Sequence, residues 1–173
     1  TDNGLIITAE TFIYKKNLNF LSASGNVKVE DKLKNYFLYA DNINYFRNEE
    51  IIVTNGNSKV LDNKNRVIYG DQFTYKRNLN FFNAIGDVKI EDIDKEYIVH
   101  GEDISYYKNE EKIITKGKAK TFIKSKYEID SADIIFFLNK NIINSSKKTK
   151  IKDKENNIYN LGSFKYLIND ELL

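Results

Sequence analysis

A motif of about 31 residues recurs along the whole chain. An apolar-x-aromatic pair returns as Phe12-x-Tyr14, Ile43-x-Tyr45, Phe73-x-Tyr75, Ile104-x-Tyr106, Ile135-x-Phe137 and Phe164-x-Tyr166, and successive aromatics lie 31, 30, 31, 31 and 29 residues apart. So regular a period implies one supersecondary unit stacked several times, each closing its apolar face against its neighbours. The surface it offers for function is a long, continuous interior.

Other positions repeat with the pair. Eight residues before the second aromatic stand Ile6, Phe37, Val67, Ile98, Ile129 and Ile158. Even spacing on a strand puts side chains on one face, so these residues are expected to share the core face with the pair. Five residues before the aromatic the side chain is small (Ala9, Ala40, Gly70, Gly101, Ala132), and an acid follows it (Glu10, Asp41, Asp71, Glu102, Asp133). Eleven residues after the aromatic come Gly25, Gly56, Gly86 and Gly117, each leading to a lysine three residues on: Lys28, Lys59, Lys89 and Lys120. Lys150 continues that series one residue short and without its glycine.

Charged and Asn-rich breaks follow both the aromatic and the lysine segment, as at Lys15–Asn17 and Asp31–Asn35. Such breaks between β-branched and aromatic runs read as hairpin turns. Two strands per repeat predict an all-β fold: one domain over 1–173, with about 11–12 antiparallel strands in a meander, open at both ends. Short symmetric turns would set Tyr45 against Ile51, Ala40 against Gly56, Gly70 against Gly86 and Gly101 against Gly117. Beyond that line Val60 is expected near Val67, and Ile90 near Ile98. Glycine in a strand marks a bend, bulge or close approach, so every strand is expected to bend along the glycine line, folding one broad sheet into two faces. Both registers hold together only if that line carries an extra, bulged residue.

The chain shows no catalytic constellation. With 27 basic and 25 acidic residues interspersed, it lacks the clustered cations of a nucleic-acid binder. It has no cysteine, so disulfide and thiolate chemistry are excluded. His100 is the one histidine, which leaves no His metal cluster, and the repeated acids read as a structural ladder rather than a general acid/base pair or a calcium site. No glycine-rich phosphate loop appears, and no cofactor is implied. The first residue is not methionine, which reads as a processed or excised chain, and Asn169–Leu173 reads as a strand start cut mid-repeat. The lysine ladder is either a solvated face that discourages edge pairing or a stripe of cations for an anionic ligand or membrane surface. The aromatic column is core, ligand lining, or both if the core is a slot.

At Ile7-Thr8-Ala9-Glu10 with Gly25-Asn26-Val27-Lys28-Val29, and at Gly70-Asp71-Gln72-Phe73-Thr74-Tyr75 with Gly86-Asp87-Val88-Lys89-Ile90, the chain resembles the OstA-like family. That family comprises the lipopolysaccharide-transport proteins LptA, LptC and the N-terminal domain of LptD. The likeness runs from about residue 5 to 166 and departs in the fifth copy, where Ser145-Ser146-Lys147 replaces the glycine. Within the family the excised character favours the LptD N-terminal domain, with an LptA-like bridge protein next.

The resemblance implies a bent, twisted β-jellyroll in the periplasm, next to the outer membrane of a Gram-negative bacterium. It implies a non-enzymatic role: lipid A acyl chains of lipopolysaccharide held between two sheets. The expected lining is Phe12, Tyr14, Phe37, Ile43, Tyr45, Val67, Phe73, Tyr75, Ile98, Ile104, Tyr106, Ile135 and Phe137. The expected partners are an LptA-type bridge protein, joined head to tail by strand pairing, and an outer-membrane barrel in the same chain or complex. The partner-facing edge is expected at Leu5, Ile6, Ile7 and Thr8. The rival reading is a structural or adhesive β-repeat with a solid, ligand-free core.

Overall fold

The structure, a computed structural model, describes residues 4–62 and 65–168. Asn169–Leu173 therefore lies outside the described residues. In chain order the strands are β1 (Leu5–Thr8), β2 (Thr11–Lys15), β3 (Phe20–Asp31), β4 (Tyr36–Phe46), β5 (Ile51–Asn55), β6 (Ser58–Asp62), β7 (Arg66–Gly70), β8 (Gln72–Lys76) and β9 (Phe81–Asp92). They continue as β10 (Tyr97–Tyr107), β11 (Lys112–Ile123), β12 (Tyr127–Ala132), β13 (Ile135–Phe137), β14 (Ile142–Ser145), β15 (Thr149–Asp153), β16 (Ile158–Leu161) and β17 (Phe164–Leu167). These segments are eleven long antiparallel passes, some interrupted at the bend, as the sequence period requires. Short 3₁₀ turns at Lys16–Leu18, Arg77–Leu79 and Lys108–Glu110 join passes.

The sheet folds over on itself into two layers. The first layer runs from β1 through the halves of β3 and β4 beyond the bend, then β6, β7, β9, β10, β11, β12 and β15, to β16. The second runs from β2 through the other halves of β3 and β4, then β5, β8, β9, β10, β11, β13 and β14, to β17.

The bend lies on the glycine line, and two consecutive left-handed residues make it. At Gly86-Asp87 φ is +81° and +42°, and Gly25-Asn26 and Gly56-Asn57 repeat the pattern. A left-handed residue is cheap for glycine and tolerable for Asn or Asp. The facing residue is the acid, not the small residue. Asp41 N–H donates to Gly56 O at 3.0 Å, and Asp71 N–H to Gly86 O at 3.0 Å. The acid side chain then ties down the turn, accepting from Asn26 Nδ2 at Glu10 (2.6 Å) and from Asn57 Nδ2 at Asp41 (2.9 Å). In the fifth copy hydroxyls replace the glycine: Ser145 Oγ donates to Ala132 O at 2.6 Å and accepts from Lys147 N–H at 3.0 Å.

The expected hairpin registers are displaced. Tyr45 pairs with Ile52, one residue on, and Gly101 with Ala119, two residues on; Gly70 pairs with Ser58, and Asp71 takes its place opposite Gly86. Val60 pairs with Ile68, and Ile90 with Val99. The register shift falls between Ser24 and Val27 on β3, and between Gly101 and Asp103 on β10. The extra residue sits on the glycine strands β3 and β9, which keep one parity of buried positions (Ala23 and Val27, Ala84 and Val88), so the parity flips on the facing strands, from Ala40 to Ile43 on β4 and from Val99 to Ile104 on β10.

Candidate functional site: the interior between the layers

The parity flip decides what lines the interior. Ile43, Tyr45, Phe73, Tyr75, Ile104 and Tyr106 point inward and are buried. Phe37, Val67 and Ile98 lie across the bulge and face outward. Their neighbours Tyr36, Leu38, Ile68, Tyr97 and Val99 take the inward places. In the fifth copy Ile135 and Phe137 also face outward, and Ile134 and Phe136 are the buried pair. A second aromatic column at Tyr36, Tyr97 and Tyr127, nine residues before Tyr45 and Tyr106 and ten before Phe137, was the sequence signal for this face.

Aromatic rings meet across the interior. Tyr36 packs edge-on to Tyr75 at 4.9 Å between centroids, Tyr97 lies 5.4 Å from Phe136, and Tyr127 lies edge-on to Tyr166 at 5.6 Å. Such contacts add to the burial of large apolar area. Each first-layer ring therefore opposes a ring 39 residues ahead, not the one nine or ten residues ahead on its own pass. The layers are staggered by about one repeat, or roughly 10 Å at two strand spacings.

Stagger explains the first copy. β2 is exposed throughout, with Phe12 at 47% and Tyr14 at 53%, because no described strand of the first layer lies opposite it. Phe12 and Tyr14 thus face the interior side but are uncovered. At the far end β16 is the counterpart, with Tyr159 at 43%. Among the described residues β1 and β2 pair only with β3, β16 only with β15, and β17 only with β14. These strands are therefore the edges of the described sheet, and Leu5, Ile6, Ile7 and Thr8 lie on one of them.

The rim opposite the bend is held shut by polar contacts between the layers. Arg77 Nε donates to Asp31 Oδ2 at 2.8 Å, and both side chains are essentially fully buried. Arg66 Nη2 donates to Tyr106 Oη at 2.9 Å and pairs with Asp62 at 2.8 Å. Lys108 Nζ donates to Lys34 O at 2.8 Å, and Lys95 Nζ to Leu138 O at 2.6 Å and Asn141 Oδ1 at 2.7 Å. Burial lowers the Lys108 pKa. Burial pushes Tyr75 and Tyr106 up to about 12 and also raises Tyr36 and Tyr97 well above the usual phenol range, so these phenols stay neutral at physiological pH.

Just inside this rim is a pocket of about 40 Å³, lined by Leu38, Val60, Ile68, Tyr75, Phe82 and Tyr106 among others. It could hold a water or two, but is far too small for an acyl chain. No three His, Asp or Glu side chains converge among the described residues. His100 is half-buried on the outer face, edge-on to Phe122 at 6.1 Å.

Fold and interior together define an all-β repeat protein: two staggered antiparallel layers around an apolar interior, with a sheet edge at each end of the described residues. No family model matches this chain, and no curated protein matches it. Among solved structures it is similar to LptH, the LptA-homologous periplasmic component of the lipopolysaccharide transport device of Pseudomonas aeruginosa. That likeness has 10% identity and a TM-score of 0.35, and covers 92% of this chain and 95% of that one.

Proposed function

We propose that this protein is a periplasmic carrier of lipopolysaccharide, holding lipid A acyl chains between its two layers and passing them toward the outer membrane. The observation that carries the reading is the interior itself: an apolar column running the length of the molecule, with a sheet edge at each end and no catalytic cluster among the described residues. Ile43, Tyr45, Phe73, Tyr75, Ile104 and Tyr106 are the proposed lining. A twelve-carbon chain buried there gains at most roughly 10 kcal/mol, at about 0.8 kcal/mol per methylene. Loading requires the polar rim to part, because the closed interior is too small.

A photo-crosslinker at Phe73 or Ile104, both buried, should capture lipopolysaccharide in a Gram-negative host. One at Asn65 or Asn109, both exposed, should not. Capture at all four positions alike, or at none, overturns the reading. One observation favours the rival, a structural repeat with a solid core: the pocket is only about 40 Å³. Native mass spectrometry of the purified protein separates the two by the presence or absence of bound lipid A.

The sheet edges support end-to-end joining with an LptA-type partner at one end, and with an outer-membrane barrel or its parent chain at the other. The stagger gives that joint a shape. A partner whose sheet continues beside β1 would, with its second strand, also cover the inner face of β2, seating Phe12 and Tyr14. An LptD-type N-terminal domain and a free LptA-type bridge protein would present the same edge.

The bond from Lys32 N–H to Gly4 O sets the phase of the β1–β3 ladder. Ile6 and Thr8 direct their backbone groups to β3, and Ile7 directs its own away from β3. Proline at Ile7 removes an outward donor only. Ile7→Pro should abolish pull-down of a purified LptA-type protein while leaving the β-type circular dichroism intact. Undiminished binding would place the joint at β16 and β17, or make it something other than strand pairing.

A further inference from the structure

The lysine ladder does not take part in the interior. On the outer face of the first layer, register pairs Lys28 with Tyr39, Tyr39 with Lys59, Lys59 with Tyr69, and Tyr69 with Lys89. Lysine and tyrosine therefore alternate across five adjacent strands in one straight row. All five are half-buried, with their outer portions open to solvent.

The row is built of cations over rings. Lys59 Nζ lies 5.4 Å and Lys89 Nζ 5.9 Å from the Tyr69 ring centroid, and Lys28 Nζ lies 4.9 Å from that of Phe37. Lys28 and Lys59 make no ion pair among the described residues. Lys89 pairs with Glu91, but both side chains are about a third exposed, so solvent screens the pair and it exchanges readily.

We propose that this row binds a linear acidic polysaccharide that carries its charge on alternate sugars. Strands lie about 4.8 Å apart, close to the length of one hexopyranose in an extended chain. Successive lysines are thus a disaccharide apart, with a tyrosine ring between them to receive the apolar face of the intervening sugar. Each contact is weak, and a chain that engages several at once accumulates affinity.

A planar anionic surface fits less well. The stripe is one residue wide. Glu30 and Glu91 flank it toward the rim, and Asp41, Asp71 and Asp87 flank it toward the bend. Those acids repel a bilayer of like charge but leave a single chain free to follow the lysines. Past Lys89 the pattern ends, where His100 and then Asp130 take the tyrosine places and Glu128 engages Lys120 at 2.7 Å. The site therefore spans β3 to β9, and it stands or falls independently of the acyl-carrier reading.

The test is titration of the intact protein, in low salt, with a hexasaccharide of alternating glucuronic acid and N-acetylglucosamine. The controls are neutral chitohexaose and phosphatidylglycerol vesicles. The acidic hexasaccharide should bind, and chitohexaose should bind about tenfold more weakly or not at all. Lys59→Ala should weaken binding about fivefold and Tyr69→Leu about threefold, as expected for losing one cation or one ring. Lys140→Ala, on the second layer, should change nothing. Circular dichroism of each variant separates lost binding from lost fold. The proposal is overturned by no binding of the acidic hexasaccharide, by binding of vesicles alone, by equal loss in Lys140→Ala, or by a neutral Tyr69→Leu.

Discussion

Arg77→Met should lower the stability of this protein by about 3–5 kcal/mol, the range for breaking a buried ion pair from one side. The guanidinium is the charged partner of Asp31, whose side chain has no solvent exposure. Asp31 also accepts from the backbone N–H of Leu33 at 3.1 Å and Lys34 at 3.0 Å, so it cannot turn away to water without undoing the turn after β3. The carboxylate would then remain buried without its cation. Asp31→Asn keeps the turn acceptor and removes the charge, so the double variant Asp31→Asn, Arg77→Met should recover most of the loss. Urea unfolding with an unchanged slope is the measurement. A single-variant loss below about 1 kcal/mol would show that the rim is wet and the pair screened. Because this contact spans the rim, the acyl-carrier reading adds that the double variant should take up lipid more readily than the parent.

Gly86→Val should cost about 2–4 kcal/mol, through two effects that can be separated. The residue has φ of +81°, where a β-branched side chain is strained. A Cβ there would also collide with the Asp71 side chain, whose Cβ and Cγ lie 2.9 Å from the new atom. Gly117 has nearly the same conformation, φ +75°, but an added Cβ meets nothing within 4 Å. Gly117→Ala therefore reports strain alone, about 1–2 kcal/mol. Gly86→Ala should exceed it by the collision with Asp71. Equal losses at the two sites would mean that the acid moves aside freely and does not brace the bend. A neutral Gly86→Val would place the bend elsewhere.

The bend was legible because its chemistry is local. A glycine followed by Asn or Asp can take two successive left-handed conformations, and the recurrence of that pair with an acid one repeat-half away marks a line across the sheet. The same locality exposed the two strands per repeat and the sheet edges. The lining was only half legible. Ile43 through Tyr106 lie on the near side of the bulge, where simple alternation holds. Phe37, Val67 and Ile98 lie beyond it, and counting even steps past the point where the parity of their own strands flips assigns them the wrong face. The bulge inferred from the registers already implied that flip, and the tyrosines at 36, 97 and 127 agreed with it. In the fifth copy apolar residues fill 134 through 138, so sequence spacing alone did not distinguish Ile134 and Phe136 from Ile135 and Phe137.

The sequence by itself determined the repeat, the antiparallel meander, the position of the bend and the alternating outer lysines. These follow from backbone preference and from pairing between neighbours in the chain. Tertiary structure alone decided how the two layers slide past each other. That stagger brings Asp31 to Arg77 and Arg66 to Tyr106, closes the rim, and leaves Phe12 and Tyr14 uncovered at one end. Contacts between residues some 40 positions apart depend on how whole sheets twist and pack, and no local pattern records that sum.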